Sequence, residues 1–336
     1  MARIAINGFG RIGRGFVRAV HGRKEIEIVA INDLAPAENL AYLLKYDSVY
    51  GRAPFAVAFE SDALVIDGKR VPLKQEKDPA NLPWKDLKVD IVVESTGFFT
   101  SGEKAKAHLD AGASRVVISA PGKGDDVETV LIGANEEKFG ASAITSNASC
   151  TTNAIVPVIG ILDAAIGIER ALLNTTHAYT ASQSIVDGIA PDDFRRGRAG
   201  AINLGPSTTG AAKATALVYP QFKEKFDGIA VRVPVPSGSI ADVTFVGKRA
   251  TSVEEVNEAL KKAATTDRWK RVFSVSEEQL VSTDILGLPY GSIADLTMTR
   301  VSDYTLVKVL AWYDNEMGYA HTLVEHVIEV AKRLNP

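Results

Sequence analysis

The run Gly8-Phe9-Gly10-Arg11-Ile12-Gly13 limits the fold of this 336-residue chain more than any other segment. A G-x-G-x-x-G pattern alone is common, and its context gives it meaning. A short apolar strand, Arg3–Asn7, enters the loop. A helical stretch, Arg11–His21, leaves it with apolar residues at Ile12, Phe16, Val17 and Val20. A second apolar strand, Ile26–Ile31, ends in Asn32-Asp33, about 20 residues past the glycines. That order is the opening β-α-β unit of a dinucleotide-binding sheet. Gly8 permits the tight turn, Gly10 lets a pyrophosphate approach the backbone, and Gly13 lets helix and strand pack closely. The helix N-terminus would bind the diphosphate. Asp33 can accept from both adenosine ribose hydroxyls and would repel a 2′-phosphate, so the expected cofactor is NAD rather than NADP.

The alternation continues. Glu38–Tyr46 has helical spacing, Val89–Glu94 and Arg115–Ser119 are apolar strands, and a helical Gly102–Ala111 lies between them. Strands alternating with helices predict a parallel sheet. Phe55–Leu73 breaks the rhythm with period-two strands and an Asp67-Gly68 turn signal, and reads as an inserted hairpin. Beyond Cys150 long strand-like runs take over at Arg170–Thr176, Gly228–Val235, Ile240–Gly247, Ile293–Val301 and Tyr304–Trp312, with one strong helix at Ser252–Thr265. His177–Pro206 reads as a long loop, and loops of that length in compact domains are usually functional. The chain closes on an apolar-striped helix, Met317–Arg333. The expectation is an α/β protein. A Rossmann-type domain spans residues 1–149 and is completed by residues 317–336. An α+β catalytic domain with a large mixed or antiparallel sheet spans residues 150–316.

The length suits about two domains of ~150 residues each. A net charge of −3 with no run of like charges argues against a nucleic-acid partner. One cysteine excludes an intrachain disulfide framework and a cysteine-based zinc site, and fits a reducing compartment. No charged leader with an apolar core is visible at the start. Ala154–Ile168 is too short to span a membrane and carries Asp163. A cytoplasmic protein is expected.

That cysteine, Cys150, lies in Ser146-Asn147-Ala148-Ser149-Cys150-Thr151-Thr152-Asn153. Ser149 reads as a helix N-cap, which places Cys150 in the first turn. Free N–H groups and the helix dipole there favour a thiolate and are expected to lower the thiol pKa. A lone cysteine is otherwise most often a small buried hydrophobe. His177 ends an apolar strand that could deliver it to the rim of a site, where an imidazolium would stabilise the thiolate and a neutral imidazole could act as base. Thr208-Thr209-Gly210 opens another helix, Ala211–Val218, and so a second anion-binding end. Arg232 lies within an apolar run, where a charge needs a partner. His21, His108, His321 and His326 fall in helical patterns and read as packing or surface residues.

Taken together, these features resemble phosphorylating glyceraldehyde-3-phosphate dehydrogenases nearly end to end. The motifs are Asn7–Arg14, Glu94–Gly97, Ser119–Gly124, Ser146–Asn153, Pro206–Lys213, Arg232–Pro236 and Trp312–Gly318. The resemblance implies a homotetramer in glycolysis or gluconeogenesis. It implies that Cys150 attacks glyceraldehyde 3-phosphate, His177 is the base, and inorganic phosphate releases an acyl phosphate. The incoming phosphate would use Ser149, Thr151, Thr209 and Gly210; the substrate phosphate would use Thr180 and Arg232. Arg196 resembles a phosphate-site arginine, although Arg195 and Arg198 lie close by and a solvated face or a subunit contact is the alternative. Asn315 would contact the nicotinamide amide, Arg11 and Ile12 would line the diphosphate, and Ser119 and Lys77 the adenosine side, Lys77 being otherwise an ordinary surface lysine.

The chain also departs from the family pattern. Ala154 stands where many members have a second cysteine, Ser182 replaces an acidic residue or Thr, Gly188-Ile189 differs from a Leu-Pro pair common in NAD-preferring members, and Met317 replaces an aromatic or Thr. The nearest rival reading is an erythrose-4-phosphate dehydrogenase that deacylates with water. A non-catalytic NAD- or RNA-binding regulator is a more distant one.

Overall fold

The computed structural model describes residues 1–191 and 193–334. The chain divides into two compact units, one of Met1–Leu131, Asn135–Ala148 and Leu323–Pro336, the other of Ile132–Ala134 and Ser149–Thr322. Of the terminal segment 317–336, residues 335 and 336 lie outside the described residues.

The first unit runs β1 (Ala2–Asn7), α1 (Arg11–Val20), β2 (Ile26–Asn32), α2 (Ala37–Lys45), a short pair β3 (Tyr46–Asp47) and β4 (Gly51–Arg52), then β5 (Val57–Glu60), β6 (Ala63–Ile66) and β7 (Lys69–Lys74). It continues with β8 (Ile91–Glu94), α3 (Gly102–Asp110), β9 (Arg115–Ile118), β10 (Glu128–Thr129) and β11 (Ile144–Ser146). Nine strands form one sheet in the order β10-β11-β9-β8-β1-β2-β7-β6-β5. β1 pairs in parallel with β2 on one side and β8 on the other. Ile4, Ile6, Val92, Val93, Val116 and Val117 are fully buried, as central strands covered on both faces require. The strand order reverses at β1, where open α/β sheets place their ligand crevice. Register sets the terminal residues Asn7, Asn32 and Glu94 side by side at that point.

Phe55–Leu73 is more than the hairpin its pattern predicts. β5, β6 and β7 form an antiparallel meander, and β7 then pairs in parallel with β2, so the segment extends the main sheet. Asp67 and Gly68 both have positive φ, +48° and +76°, as a tight hairpin turn with an Asp-Gly signature requires.

The second unit begins with α4 (Cys150–Ile166) and continues with β12 (Ile168–Ala178), β13 (Gly205–Thr208), α5 (Ala211–Val218), β14 (Phe226–Val233), β15 (Ser239–Gly247), α6 (Val253–Ala264), β16 (Phe273–Ser276), β17 (Ser292–Ser302) and β18 (Leu306–Tyr313). The seven strands order as β13-β14-β12-β15-β18-β17-β16. β12 pairs in parallel with β14 and antiparallel with β15, so the sheet is mixed. Ala154, Ile155, Val158, Ile159 and Leu162 are fully buried and make α4 a core helix. Gly167, at φ +75°, ends it. The last helix, α7 (Met317–Ala331), crosses the division, with Leu323 onward grouped with the first unit. No described helix is long and apolar enough to cross a membrane.

Candidate active site

In the first unit the ends of β1, β2 and β8 open on a cavity of about 620 Å³, whose lining includes Gly8, Gly10, Asp33, Lys77, Thr96 and Phe99. The three motif glycines meet three different constraints. Gly8 has φ +93°, and a Cβ there would come within 2.6 Å of the Thr96 nitrogen. A Cβ on Gly13 would lie 2.3 Å from the Gly8 carbonyl oxygen, so helix and loop touch backbone to backbone. A Cβ on Gly10 would meet nothing within 4 Å, which leaves an open cradle above the start of α1. Asp33 is held at the cavity by two backbone donors: the Phe9 N–H at 2.8 Å and the Ala35 N–H at 2.9 Å. Its carboxylate keeps lone pairs for further donors. A ribose–diphosphate fits these features.

Of the other expected cofactor residues, Lys77 is exposed at the cavity rim. Arg11 and Ile12 form the first turn of α1, and the Arg11 guanidinium pairs with Asp47 rather than lining the cavity. Ser119 follows β9, and its N–H donates to the Glu94 carbonyl at 2.9 Å. Asn315 lies in the second unit, where its Oδ1 accepts from the Gly238 N–H at 3.1 Å and the Ser239 hydroxyl at 2.8 Å.

Ser149 caps α4 as expected: its Oγ accepts from the Thr152 N–H at 3.1 Å, and Cys150 is the first helical residue. Cys150 Sγ lies 3.5 Å from His177 Nε2. On its other side the imidazole places Nδ1 2.7 Å from the Ala178 carbonyl oxygen. A carbonyl only accepts, and Nδ1 lies closer to it than to the Arg232 guanidinium at 2.9 Å, so the proton is assigned to Nδ1, which turns the Nε2 lone pair toward the thiol. Arg232 donates to the same carbonyl at 3.1 Å, with Nη1 2.9 Å from His177 Nδ1. Strand register explains the meeting, because His177 on β12 and Arg232 on β14 are direct partners.

The electrostatics correct the expectation for the thiol. Burial pushes the Cys150 thiol up, while hydrogen bonding from Thr151 and the charge of Arg232 pull the other way. Burial, and then the Arg232 charge, lower the His177 pKa to about 4. The imidazole is therefore neutral near pH 7 and ready to accept a proton. The cation beside the sulfur is Arg232 rather than an imidazolium. The position at the helix N-terminus was legible in the sequence; the cost of burying the charged form was not.

The expected anion-binding residues divide into two sets. Thr151 is tied to the centre, its hydroxyl 3.0 Å from that of Tyr313, which is in turn 2.7 Å from the Thr175 hydroxyl. The Tyr313 ring also stands edge-on to the His177 imidazole at 5.8 Å. Thr209 and Thr180 bond within their own segments. Thr209 Oγ1 accepts from the Ala211 N–H at 3.2 Å beside the exposed Gly210, which precedes α5. Thr180 Oγ1 lies 2.9 Å from Ser182 Oγ. Arg196 reaches the Ser207 hydroxyl at 3.1 and 3.2 Å, whereas Arg195 pairs with Asp193 and Arg198 with Asp187, each at 2.9 Å. Among the described residues Arg196 is the one of the three with no carboxylate partner.

Two features escaped the sequence reading. Tyr313 sits within the Trp312–Gly318 motif, yet its place beside His177 needs β18 and β12 brought together by β15. His108, expected as a packing or surface residue, is a buried packing residue, and what escaped is its partner: Nε2 lies 3.0 Å from the equally buried Glu94 carboxylate. No group of three or more metal-binding side chains occurs among the described residues.

Residues 2–102 match the family model for the glyceraldehyde 3-phosphate dehydrogenase NAD binding domain, and residues 149–315 match that for the C-terminal domain. The chain is 48% identical over 340 residues to the glyceraldehyde-3-phosphate dehydrogenase of Mycobacterium avium, covering 99% of each chain. It is 48% identical over 335 residues to that of Zymomonas mobilis, again covering 99% of each, and 47% identical over 333 residues to that of Geobacillus stearothermophilus, covering 98% of each. The chain belongs to the glyceraldehyde 3-phosphate dehydrogenase family, and is an oxidoreductase that uses NAD.

Proposed function

We propose that the protein oxidises D-glyceraldehyde 3-phosphate with NAD and inorganic phosphate to 1,3-bisphosphoglycerate. Cys150 Sγ attacks the aldehyde carbon as its proton passes to His177 Nε2, which hands it on to the carbonyl oxygen, giving a thiohemiacetal and leaving the imidazole neutral again. The backbone N–H of Cys150 at the start of α4 stabilises the developing oxyanion. NAD supplies the hydride acceptor. As hydride leaves the carbon, the hydroxyl proton goes to the neutral His177, and a thioester remains on Cys150. Phosphate attacks that thioester, forming the acyl phosphate and returning the thiolate. The single observation that carries this reading is the 3.5 Å approach of Sγ to a nitrogen whose lone pair faces it.

In this reading Arg232 and Thr180 bind the substrate phosphate, with Arg196 serving the anion sites. Ser149, Thr151, Thr209 and Gly210 bind the attacking phosphate. Gly8, Gly10, Gly13, Arg11, Ile12 and Asp33 hold the diphosphate and ribose, Ser119 and Lys77 the adenosine side, and Asn315 the nicotinamide amide. The protein works in the cytoplasm within glycolysis or gluconeogenesis, as a homotetramer. Leu172, Ile229 and Leu306, exposed on β12, β14 and β18, support self-association, since such strand faces seldom stay bare.

The test is NADH formation from glyceraldehyde 3-phosphate with and without inorganic phosphate. Sustained turnover that requires phosphate supports the reading. Turnover indifferent to phosphate would instead indicate water as the acyl acceptor, as in an erythrose-4-phosphate dehydrogenase.

A further inference from the structure

Beneath the cavity of the first unit lies a continuous run of buried polar side chains. Glu94, Asn7 and Asn32 end β8, β1 and β2 and are 1%, 1% and 5% exposed. Asn7 Nδ2 donates to Glu94 Oε2 at 2.6 Å, and Asn32 Nδ2 donates to Asn7 Oδ1 at 2.7 Å. Asn32 also grips the backbone of Glu76, accepting from its N–H at 2.9 Å and donating to its carbonyl at 2.8 Å. That grip continues the β2–β7 pairing beyond Lys74 and fixes the backbone leading into Lys77. At the opposite end, the Thr96 N–H donates to Glu94 Oε1 at 2.8 Å, and the Thr96 hydroxyl donates to the same oxygen.

Glu94 is thus surrounded by donors. Trp84 Nε1 can only donate, and it lies 3.0 Å from His108 Nδ1. His108 must accept there and carry its proton on Nε2, which donates to Glu94 at 3.0 Å. Four donors meet two carboxylate oxygens. An amide in that position would set its NH2 group against either the Asn7 and His108 donors or the two from Thr96. Asn7, Asn32, Glu76 and Thr96 all line the cavity, but Glu94 and His108 do not.

We propose that Glu94 is a positioning residue for the cofactor. It sets the ladder Thr96–Glu94–Asn7–Asn32–Glu76, and that ladder holds the walls of the adenosine half of the site in binding geometry across four strand ends. This rests on the cavity being the dinucleotide site. Preorganised walls lower the ordering cost of binding, so loosening the ladder weakens affinity without altering the thiol chemistry.

The probe is ADP-ribose, titrated calorimetrically, with Cys150 alkylation by iodoacetamide as an independent reading of the second unit. Glu94→Gln is expected to weaken ADP-ribose at least tenfold and to raise the KM for NAD with kcat little changed, leaving the alkylation rate as in the parent. Thr96→Val, which removes one donor from the edge of the ladder, is expected to weaken it severalfold and decides the matter if Glu94→Gln does not fold. Asp33→Ala is the control for the cavity. If it weakens ADP-ribose while the Glu94 and Thr96 variants bind like the parent, the ladder proposal is overturned alone. If none of the three changes affinity, the assignment of the cavity falls with it.

Discussion

His177 and Arg232 stand opposite each other in register on β12 and β14, with Arg232 Nη1 2.9 Å from His177 Nδ1 and both groups directed at the Ala178 carbonyl. The pairing gives the site its electrostatic character. Burial, and then the fixed cation beside it, keep the imidazole neutral and so able to act as a base, and the same charge favours the thiolate.

Arg232→Gln should therefore raise the thiol pKa further. The Arg232 charge acts against the upward push of burial, and removing it leaves only the hydrogen bonds from Thr151 and the helix-start backbone against that push. A shift of one unit corresponds to a roughly tenfold smaller thiolate fraction below the pKa. The pH profile of iodoacetamide alkylation should move to higher pH. An unmoved midpoint would show that Arg232 does not act on the sulfur.

Asp33→Gly removes the carboxylate that faces the expected ribose position. NAD binding should weaken by roughly tenfold or more, the scale of one lost charge-assisted hydrogen bond, and NADP should lose far less. Titration of both nucleotides against the parent checks this. Equal losses would mean that Asp33 does not read the ribose.

The glycine loop offers a contrast between neighbours. Gly13→Ala drives a Cβ toward the Gly8 carbonyl oxygen, a backbone atom, and should cost about 1–3 kcal/mol of stability. Gly10→Ala meets no protein atom and sits at φ −70°, so it should leave melting unchanged while weakening NAD. Melting curves with and without NAD separate the two. Destabilisation by Gly10→Ala in the absence of NAD would contradict the open cradle.

Acid stability depends on histidines held neutral. Burial lowers the His326 pKa to about 3 and that of His177 to about 4. An unfolded chain protonates both near ~6.5. Between these values the unfolded state binds more protons, so stability is lost as pH falls below that point, by at most about 1.4 kcal/mol per pH unit for each histidine. His326→Gln should flatten the decline between pH 6 and 4. An unchanged slope would show that His326 gains its proton without unfolding.

Local periodicity carried most of the first unit. β1, α1, β2, β8, α3 and β9 fall within a few residues of their predicted spans, because apolar strands and glycine turns are short-range signals. β10, β11 and β13 escaped notice, being strands of two to four residues that exist only through pairing. β7 was taken as part of an insertion because its parallel partner β2 lies far back in the chain. The site divides along the same line. Cys150, Ser149 and the glycine loop were legible because caps and turns are local. The neutrality of His177, the place of Tyr313 and the pairing of His108 with Glu94 depend on contacts between distant strands and helices.

The central claim is a thioester on Cys150, and a single turnover without phosphate tests it most directly. The protein is mixed with NAD and glyceraldehyde 3-phosphate in phosphate-free buffer, NADH release is followed, and the quenched chain is weighed and mapped by mass spectrometry. The account predicts a burst approaching one NADH per chain, an acyl adduct confined to the peptide containing Cys150, and discharge of that adduct when phosphate is added. Steady turnover without phosphate and without an adduct, or an equal burst from Cys150→Ser, would contradict it.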